Sequence, residues 1–198
     1  MVLEPLLLFS RSLTLAVLGC ALLVGGCDRE TTADKQPAAG TEAAQAAGGE
    51  LTGTIDRSRK GSELPEFTLR DAAGNKVELS SLKGKPLLIN LWATWCAPCV
   101  AELPMLNQLA KEREGQMKVL TISQDLPPAD KVAQFLKARG ADRLEPWLDL
   151  DGELTVQYKL TVLPTTIYYD SQGREVWRFV GGHDWTNAET KAMLAEGK

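Results

Sequence analysis

The sequence predicts an α/β domain with a mixed central sheet, helices on both faces and an added N-terminal β-hairpin. The first indication is the continuous apolar run Leu87–Trp92, which is typical of a central strand that is covered on both faces. After it, strand and helix patterns alternate, as in parallel strands joined by crossover helices. Two alternating runs, Thr166–Asp170 and Val176–Val180, then flank the turn signal Ser171-Gln172-Gly173 and predict an antiparallel hairpin at the end of the sheet.

The added hairpin is predicted from two short runs near the start of the folded part. Phe67-Thr68-Leu69 and Val77-Glu78-Leu79 alternate in polarity and lie on either side of Asp71–Asn75. Aspartate, glycine and asparagine in that segment favour a turn. The two runs are therefore expected to pair with each other.

Helical periodicity begins directly after the apolar run, over Ala97–Glu114, and Pro104 is predicted to kink this helix. Its apolar positions are Leu103, Leu106, Leu109 and Ala110. The remaining predicted elements are the strand Lys118–Ser123, the helix Asp130–Arg139, the short helix Glu153–Lys159 and the closing helix Asn187–Glu196.

Residues 1–26 are predicted to be an export signal rather than part of the fold. Arg11 supplies a positive charge, and Leu13–Val24 is an apolar core too short to span a bilayer comfortably. The small residues before Cys27 resemble a bacterial lipobox, in which the cysteine receives lipid and becomes the mature N-terminus. We therefore expect lipid attachment at Cys27 and a location on the periplasmic side of the inner membrane.

Two alternatives remain open for this segment. Cys20 is a rival lipid-attachment site, although Leu18 stands where a small residue is usual. An uncleaved transmembrane anchor over most of Leu3–Val24 would also hold the protein at the membrane. Residues 27–60 contain few large apolar side chains and are predicted to form a flexible tether to a domain over residues 61–198.

The motif most informative about chemistry is Trp95-Cys96-Ala97-Pro98-Cys99, at the predicted junction of the apolar strand and the first helix. Free N–H groups and the positive end of the helix dipole stabilise a thiolate at a helix N-terminus. The other two cysteines, Cys20 and Cys27, lie in the N-terminal segment, so the domain has one isolated pair. This arrangement favours a reversible dithiol/disulfide couple over a zinc half-site or inert core thiols.

Composition excludes other classes of function. The net charge is −4 and no basic patch is present, so nucleic acid is not expected as a partner. With His183 as the single histidine, no metal site is expected. His183 and Trp185 are interpreted as surface or packing residues.

Four motifs together resemble the thioredoxin superfamily, and more specifically its TlpA/ResA-like membrane-tethered thiol–disulfide oxidoreductases. They are Pro65-Glu66-Phe67 with its hairpin, Leu91-Trp92-Ala93-Thr94-Trp95-Cys96-Ala97-Pro98-Cys99, Glu102-Leu103-Pro104 and Leu163-Pro164-Thr165-Thr166. The resemblance covers Leu64–Lys198 and implies the thioredoxin fold.

The resemblance also implies roles for individual residues. Cys96 would be the nucleophile and the more exposed sulfur of the pair, and Cys99, more buried, would be the resolving thiol. Pro164 would be a cis proline facing the cysteines. Leu163 would present its backbone to an extended substrate, and Trp95 would cover one side of Cys96 as part of the docking surface.

Glu102 is expected to be the proton acceptor of the pair. Thioredoxin usually has a buried aspartate at the position of Asn90, which cannot titrate. Glu102 falls one helical turn after Cys99, and a half-buried carboxylate there would have a raised pKa. The alternative is a solvated glutamate on the helix surface.

The function implied is reduction of protein disulfides, such as those of apocytochrome c or of oxidase copper-site cysteines. A membrane thiol electron donor would re-reduce the protein, which is expected to be a monomer needing no cofactor beyond the Cys96–Cys99 disulfide. A disulfide oxidase or isomerase is the alternative, because the two intervening residues do not fix the redox potential. A copper chaperone is disfavoured, since such proteins generally have a wider cysteine spacing and a matching histidine.

Overall fold

The computed structural model describes residues 51–126, 128 and 130–197. The predicted export signal, the two candidate lipidation sites Cys20 and Cys27, and the tether up to residue 50 therefore lie outside the described residues. Within the described ranges, no helix is long and apolar enough to cross a membrane.

The described chain contains eight strands, four α-helices and a 3₁₀ turn at Leu79–Leu82. The strands are β1 Gly53–Asp56, β2 Thr68–Arg70, β3 Lys76–Glu78, β4 Leu87–Trp92, β5 Lys118–Ser123, β6 Trp147–Leu148, β7 Thr165–Tyr169 and β8 Glu175–Gly181. They form one sheet in the order β1-β8-β7-β4-β5-β6-β2-β3. The helices are α1 Ala97–Glu112, α2 Asp130–Ala138, α3 Glu153–Tyr158 and α4 Ala188–Ala195.

Strand β4 is the centre of this mixed sheet, and all six of its residues are buried. It runs parallel to β5, with Leu87 opposite Lys118, and antiparallel to β7, with Leu87 opposite Tyr169. Strand β6 continues the parallel part, whereas β7 and β8 form the predicted antiparallel hairpin. A strand with neighbours on both edges and covered faces needs a continuous apolar sequence, which β4 has.

The side chains of β4 alternate between two apolar cores. Leu88 and Trp92 belong to the core that also contains residues of α1, α2 and α4. Ile89 and Leu91 belong to the core on the other face, with residues of α3. The alternation places Asn90 on the same face as Leu88 and Trp92, towards α1.

The folded domain begins earlier than the boundary predicted at residue 61. Strand β1 pairs antiparallel with β8, with Gly53 opposite Gly181 and Asp56 opposite Arg178. The residue that follows β1, Arg57, makes a bidentate ion pair with Glu196 at the end of α4. Composition could not show this strand, because Ile55 is its one large apolar residue and its pairing with β8 is made by backbone hydrogen bonds.

Strand β6 also has no counterpart among the predicted elements, since two residues are too short to show a period. It joins the centre of the sheet to β2, with Leu148 opposite Arg70. Strands β2 and β3 pair antiparallel, with Leu69 opposite Val77.

Candidate active site

The site lies where β4 ends and α1 begins. Cys96 is the N-cap residue of α1, and its own N–H donates to the Ala93 carbonyl oxygen at 3.2 Å, closing a tight turn. Parallel strands direct their carboxyl ends to one edge of a sheet, so the turns after β4 and β5 lie side by side.

A carboxylate after β5 fixes the turn before the cysteines. Asp125 accepts hydrogen bonds from the Thr94 N–H at 2.9 Å, the Thr94 hydroxyl at 2.6 Å and the Ser123 hydroxyl at 2.6 Å. Sequence reasoning missed Asp125. The available signal was a polar residue just past the end of the strand adjacent to β4.

Cys96 and Cys99 form a disulfide. The Cys96 Sγ accepts a hydrogen bond from the Cys99 N–H at 3.3 Å, so the outer sulfur sits on the positive end of α1. Cys96 keeps 6% of its surface exposed and Cys99 keeps 1%. Of the two, Cys96 is therefore the residue that a partner in solution reaches first. Pro98, in the first turn, has no N–H to offer the sulfur.

An open groove of about 500 Å³ contains Cys96 in its lining. Trp95 forms one wall and is 71% exposed, while Leu163 belongs to the loop that forms another. The Leu163–Pro164 peptide bond is cis. The Pro164 carbonyl oxygen accepts a hydrogen bond from the Gly181 N–H at 2.9 Å, which attaches this loop to the end of β8.

Glu102 is completely buried, deeper than the half-buried position expected from the sequence. One carboxylate oxygen accepts the peptide N–H of His183 at 2.6 Å, and the other accepts Asn90 Nδ2 at 3.3 Å. The Asn90 amide also donates to the Thr166 hydroxyl at 2.9 Å. Glu102 therefore belongs to a buried polar network and is not a solvated residue of the helix surface.

Burial raises the pKa of Glu102 to about 8, from an ordinary value of 4.5. The peptide N–H of His183 and the side chains of Trp185 and Asn90 oppose this shift, because they favour the charged form. A carboxyl with this pKa can both accept and release a proton near neutral pH.

The loop after β8 contributes more than the sequence indicated. His183 and Trp185 are both buried, and their side chains pack against each other with ring centroids 4.7 Å apart. His183 reaches Glu102 through its backbone, and a backbone contact leaves no trace in the residue types. Sequence patterns therefore gave no signal for this part of the site.

Comparison with known proteins identifies the family. The family model for Redoxin matches residues 59–194, which is more than half of the chain. The chain belongs to the redoxin family. It is similar to the thiol-disulfide oxidoreductase ResA of Bacillus thuringiensis subsp. konkukian, at 31% identity over 137 residues that cover 69% of this chain and 75% of ResA. It is also similar to the thiol:disulfide interchange protein DsbE of Vibrio cholerae, at 37% identity over 146 residues that cover 70% of this chain and 77% of DsbE.

Solved structures agree with this placement. The exposed lipoprotein thioredoxin Etrx1 of Streptococcus pneumoniae matches with a TM-score of 0.57 and 26% identity, over 66% of this chain and 99% of that one. These matches confirm the predicted thioredoxin-like fold and the resemblance to ResA-type proteins. This redoxin is a thiol–disulfide oxidoreductase of the ResA/DsbE type.

The predicted site residues of this redoxin fall into two groups. One groove brings together Cys96, Trp95 and Leu163, and Pro164 follows directly in the chain. Glu102 lies in the interior, on the helix that carries both cysteines. The catalytic and binding roles assigned to these residues stay predictions, and Cys27 lies outside the described residues.

Proposed function

We propose that this redoxin reduces disulfides of cysteine-containing proteins on the periplasmic side of the inner membrane, where lipid on Cys27 holds it. The observation that carries the proposal is the Cys96–Cys99 disulfide, with Cys96 in an open groove and a titratable carboxyl, Glu102, buried one turn further along α1. The start of α1 would then carry, in order, the outer nucleophile Cys96, the inner resolving thiol Cys99 and the proton acceptor Glu102.

The reaction begins with the reduced pair. The Cys96 thiolate attacks one sulfur of the substrate disulfide, forms a mixed disulfide with it and releases the other substrate sulfur as a thiolate, which takes a proton from water. Cys99 then loses its proton and attacks the Cys96 sulfur. The Cys96–Cys99 bond forms, the mixed disulfide breaks and the second substrate thiolate leaves. Two electrons have passed from the protein to its substrate.

Glu102 receives the proton that Cys99 loses in the second step. Cys99 is buried, so direct proton transfer to water is hindered, and a thiol without an acceptor would be a poor nucleophile. Because the pKa of Glu102 is about 8, the carboxyl can take this proton and return it in the next cycle.

One feature supports the reducing direction. Stabilising the thiolate makes a pair more oxidising, as in strongly oxidising members of the superfamily. The N–H of Cys99 on the Cys96 sulfur stabilises its thiolate, but Pro98 removes another N–H from the first turn and so limits this stabilisation. A less stabilised thiolate keeps the reduced pair a better electron donor.

The substrates and the location follow from the resemblance and from the N-terminal sequence. Candidate substrates are apocytochrome c and oxidase copper-site cysteines, both suggested by the resemblance to TlpA/ResA-like proteins. The lipobox-like sequence before Cys27 and a lipoprotein among the structural relatives support the membrane location. A membrane thiol donor would re-reduce the disulfide after each cycle.

The redox potential tests the direction. Equilibration of the full chain with a thiol buffer of known potential should give a redox potential of about −270 mV for a reductant, whereas about −120 mV would indicate an oxidant. A Pro98→Ala variant, which restores an N–H to the first turn, should move the potential towards the oxidising value. A wild-type potential at the oxidising end would contradict the proposal and favour the oxidase.

A trapping experiment tests the roles of the two cysteines. A Cys99→Ser variant, expressed with its own N-terminal segment, should hold substrates covalently through Cys96, because it lacks the resolving thiol. The matched control is Cys96→Ser, in which the outer nucleophile is missing. If Cys96→Ser captured the same proteins equally well, the assignment of nucleophile and resolving thiol would be reversed.

A further inference from the structure

The loop between β8 and α4 holds Glu102 from the side opposite α1. The peptide N–H of His183 donates to Glu102 Oε1 at 2.6 Å, which is shorter than the 3.3 Å hydrogen bond from Asn90 Nδ2 to Oε2. The position of that N–H depends on how the loop over residues 182–187 is fixed to the rest of the domain.

The imidazole of His183 fixes the loop to α4. Its Nε2 lies 2.9 Å from the hydroxyl oxygen of Thr190, and that hydroxyl donates to the Asp184 carbonyl oxygen at 3.0 Å. A hydroxyl has one proton to donate. Since Asp184 receives it, we assign the Thr190 oxygen as acceptor towards His183 and place the proton of the imidazole on Nε2.

Aromatic rings enclose the imidazole and prevent it from turning away. The ring of Phe179 lies 4.4 Å from it and the ring of Trp185 lies 4.7 Å from it, measured between centroids. Burial also lowers the pKa of His183, which favours the neutral ring. Thr190 is anchored in turn, because its N–H donates to the side chain of Asn187, the N-cap of α4, at 2.8 Å.

We propose that Thr190 and the imidazole of His183 are positioning residues for Glu102, which keep the His183 peptide N–H on the carboxylate while Cys99 exchanges its proton. Neither side chain hydrogen-bonds the carboxyl itself, and each acts through the loop backbone. The proposal rests on the proposed function only in assigning the Cys99 proton to Glu102.

The physical consequence is a control on how tightly Glu102 holds a proton. A hydrogen bond donated by a backbone N–H favours the charged carboxylate and opposes the effect of burial. If the loop moved away, the pKa of Glu102 would rise further. The carboxyl would then release its proton more slowly between cycles and stay protonated when Cys99 next needs an acceptor.

The test compares three threonine substitutions in the full chain. Thr190→Val removes the hydroxyl and keeps the shape, whereas Thr190→Ser keeps the hydroxyl. Thr186→Val is the matched control, because Thr186 is in the same loop and its hydroxyl donates to the Asp184 side chain rather than to the His183 imidazole or to Thr190. The readout is the infrared carbonyl band of the protonated Glu102 carboxyl in the oxidised protein, identified by its loss in Glu102→Gln. The disulfide does not titrate in this state.

In Thr190→Val we expect the pH at which this band has half its full intensity to rise by about one unit. A shift of this size corresponds to the weakening of one hydrogen bond to a charged group. In Thr190→Ser and Thr186→Val the pH midpoint of this titration should equal that of the wild type. His183→Ala provides a second route, since it keeps the peptide N–H and removes the ring, and it decides the matter if Thr190→Val does not fold. A wild-type midpoint in whichever of these variants fold would overturn the proposal.

A kinetic measurement separates this proposal from the role of Glu102 itself. The pH profile of mixed-disulfide resolution by Cys99 should move upward with the infrared midpoint in Thr190→Val. If the infrared midpoint moved and the kinetic profile did not, the positioning would stand, and Glu102 would not be the acceptor for Cys99.

Discussion

At the scale of single residues, the site depends on one buried carboxyl. Asn90 stands where thioredoxin usually has a buried aspartate, and its amide donates to Glu102 across the interface between β4 and α1. Two carboxyls at that distance could not both ionise, so an aspartate at position 90 would compete with Glu102 for one proton. The amide satisfies the carboxyl without a second titratable group, which leaves Glu102 as the only acid of this network among the described residues.

Glu102→Gln tests the buried carboxyl through the stability of the oxidised protein. The pKa of Glu102 is about 8 in the folded protein, above its ordinary value of 4.5. Between these values the folded protein retains a proton that the unfolded chain releases, so the free energy of unfolding falls as pH rises. The stability that the protonated Glu102 carboxyl contributes is fully present below the pKa of Glu102 in the unfolded chain. It is lost as pH rises to the pKa of Glu102 in the folded protein. At about 1.4 kcal/mol per unit, the loss is at most about 5 kcal/mol.

Urea unfolding of wild type and variant across this pH range measures the effect. The difference between the two proteins isolates Glu102, because their other titrating groups are shared. We expect the wild type to lose stability relative to Glu102→Gln as pH increases, and the difference to become constant above the folded pKa. A difference independent of pH would contradict the raised pKa.

At the scale of secondary-structure elements, the end of β8 connects the cis-proline loop with β1. The Gly181 N–H donates to the Pro164 carbonyl oxygen, and Gly181 pairs with Gly53 of β1. Gly181 has a φ of +97°, and a Cβ there would lie 2.5 Å from the Thr52 carbonyl oxygen. Close approach of the backbones of three segments therefore requires glycine at this position.

Gly181→Ala should destabilise the protein and slow the exchange reaction. The positive φ alone costs about 1–2 kcal/mol for alanine. The overlap with Thr52 should add about 1–3 kcal/mol and displace the N–H that holds Pro164. Gly74→Ala is the matched control, because Gly74 has a φ of +86° and open space around its Cβ position. Equal losses of unfolding free energy in the two variants would show that the close approach is unimportant.

At the scale of the whole molecule, the features that the sequence predicted are specified by side chains, whereas those that it missed depend on backbone contacts. Leu87–Trp92 and the helix after it were predictable because their own side chains carry the pattern of burial. Cys96 and Cys99 were predictable because their chemistry is specific to their residue type and spacing. The edge strand β1 and the contact from His183 were not, because backbone groups make them and their partners are distant in sequence.

Strand β1 gives the last prediction, on where the folded domain begins. A chain of residues 57–198 keeps Arg57 and its ion pair with Glu196 but lacks β1, so the edge of β8 loses its partner. It also loses Ile55, which packs against the core on the α1 face. Relative to residues 51–198, we expect a melting temperature lower by about 5 °C, from roughly 2 kcal/mol of lost stability. The unpaired β8 edge should also promote self-association, measurable by sedimentation. Identical melting temperatures and masses would show that the domain begins after β1, as composition alone suggested.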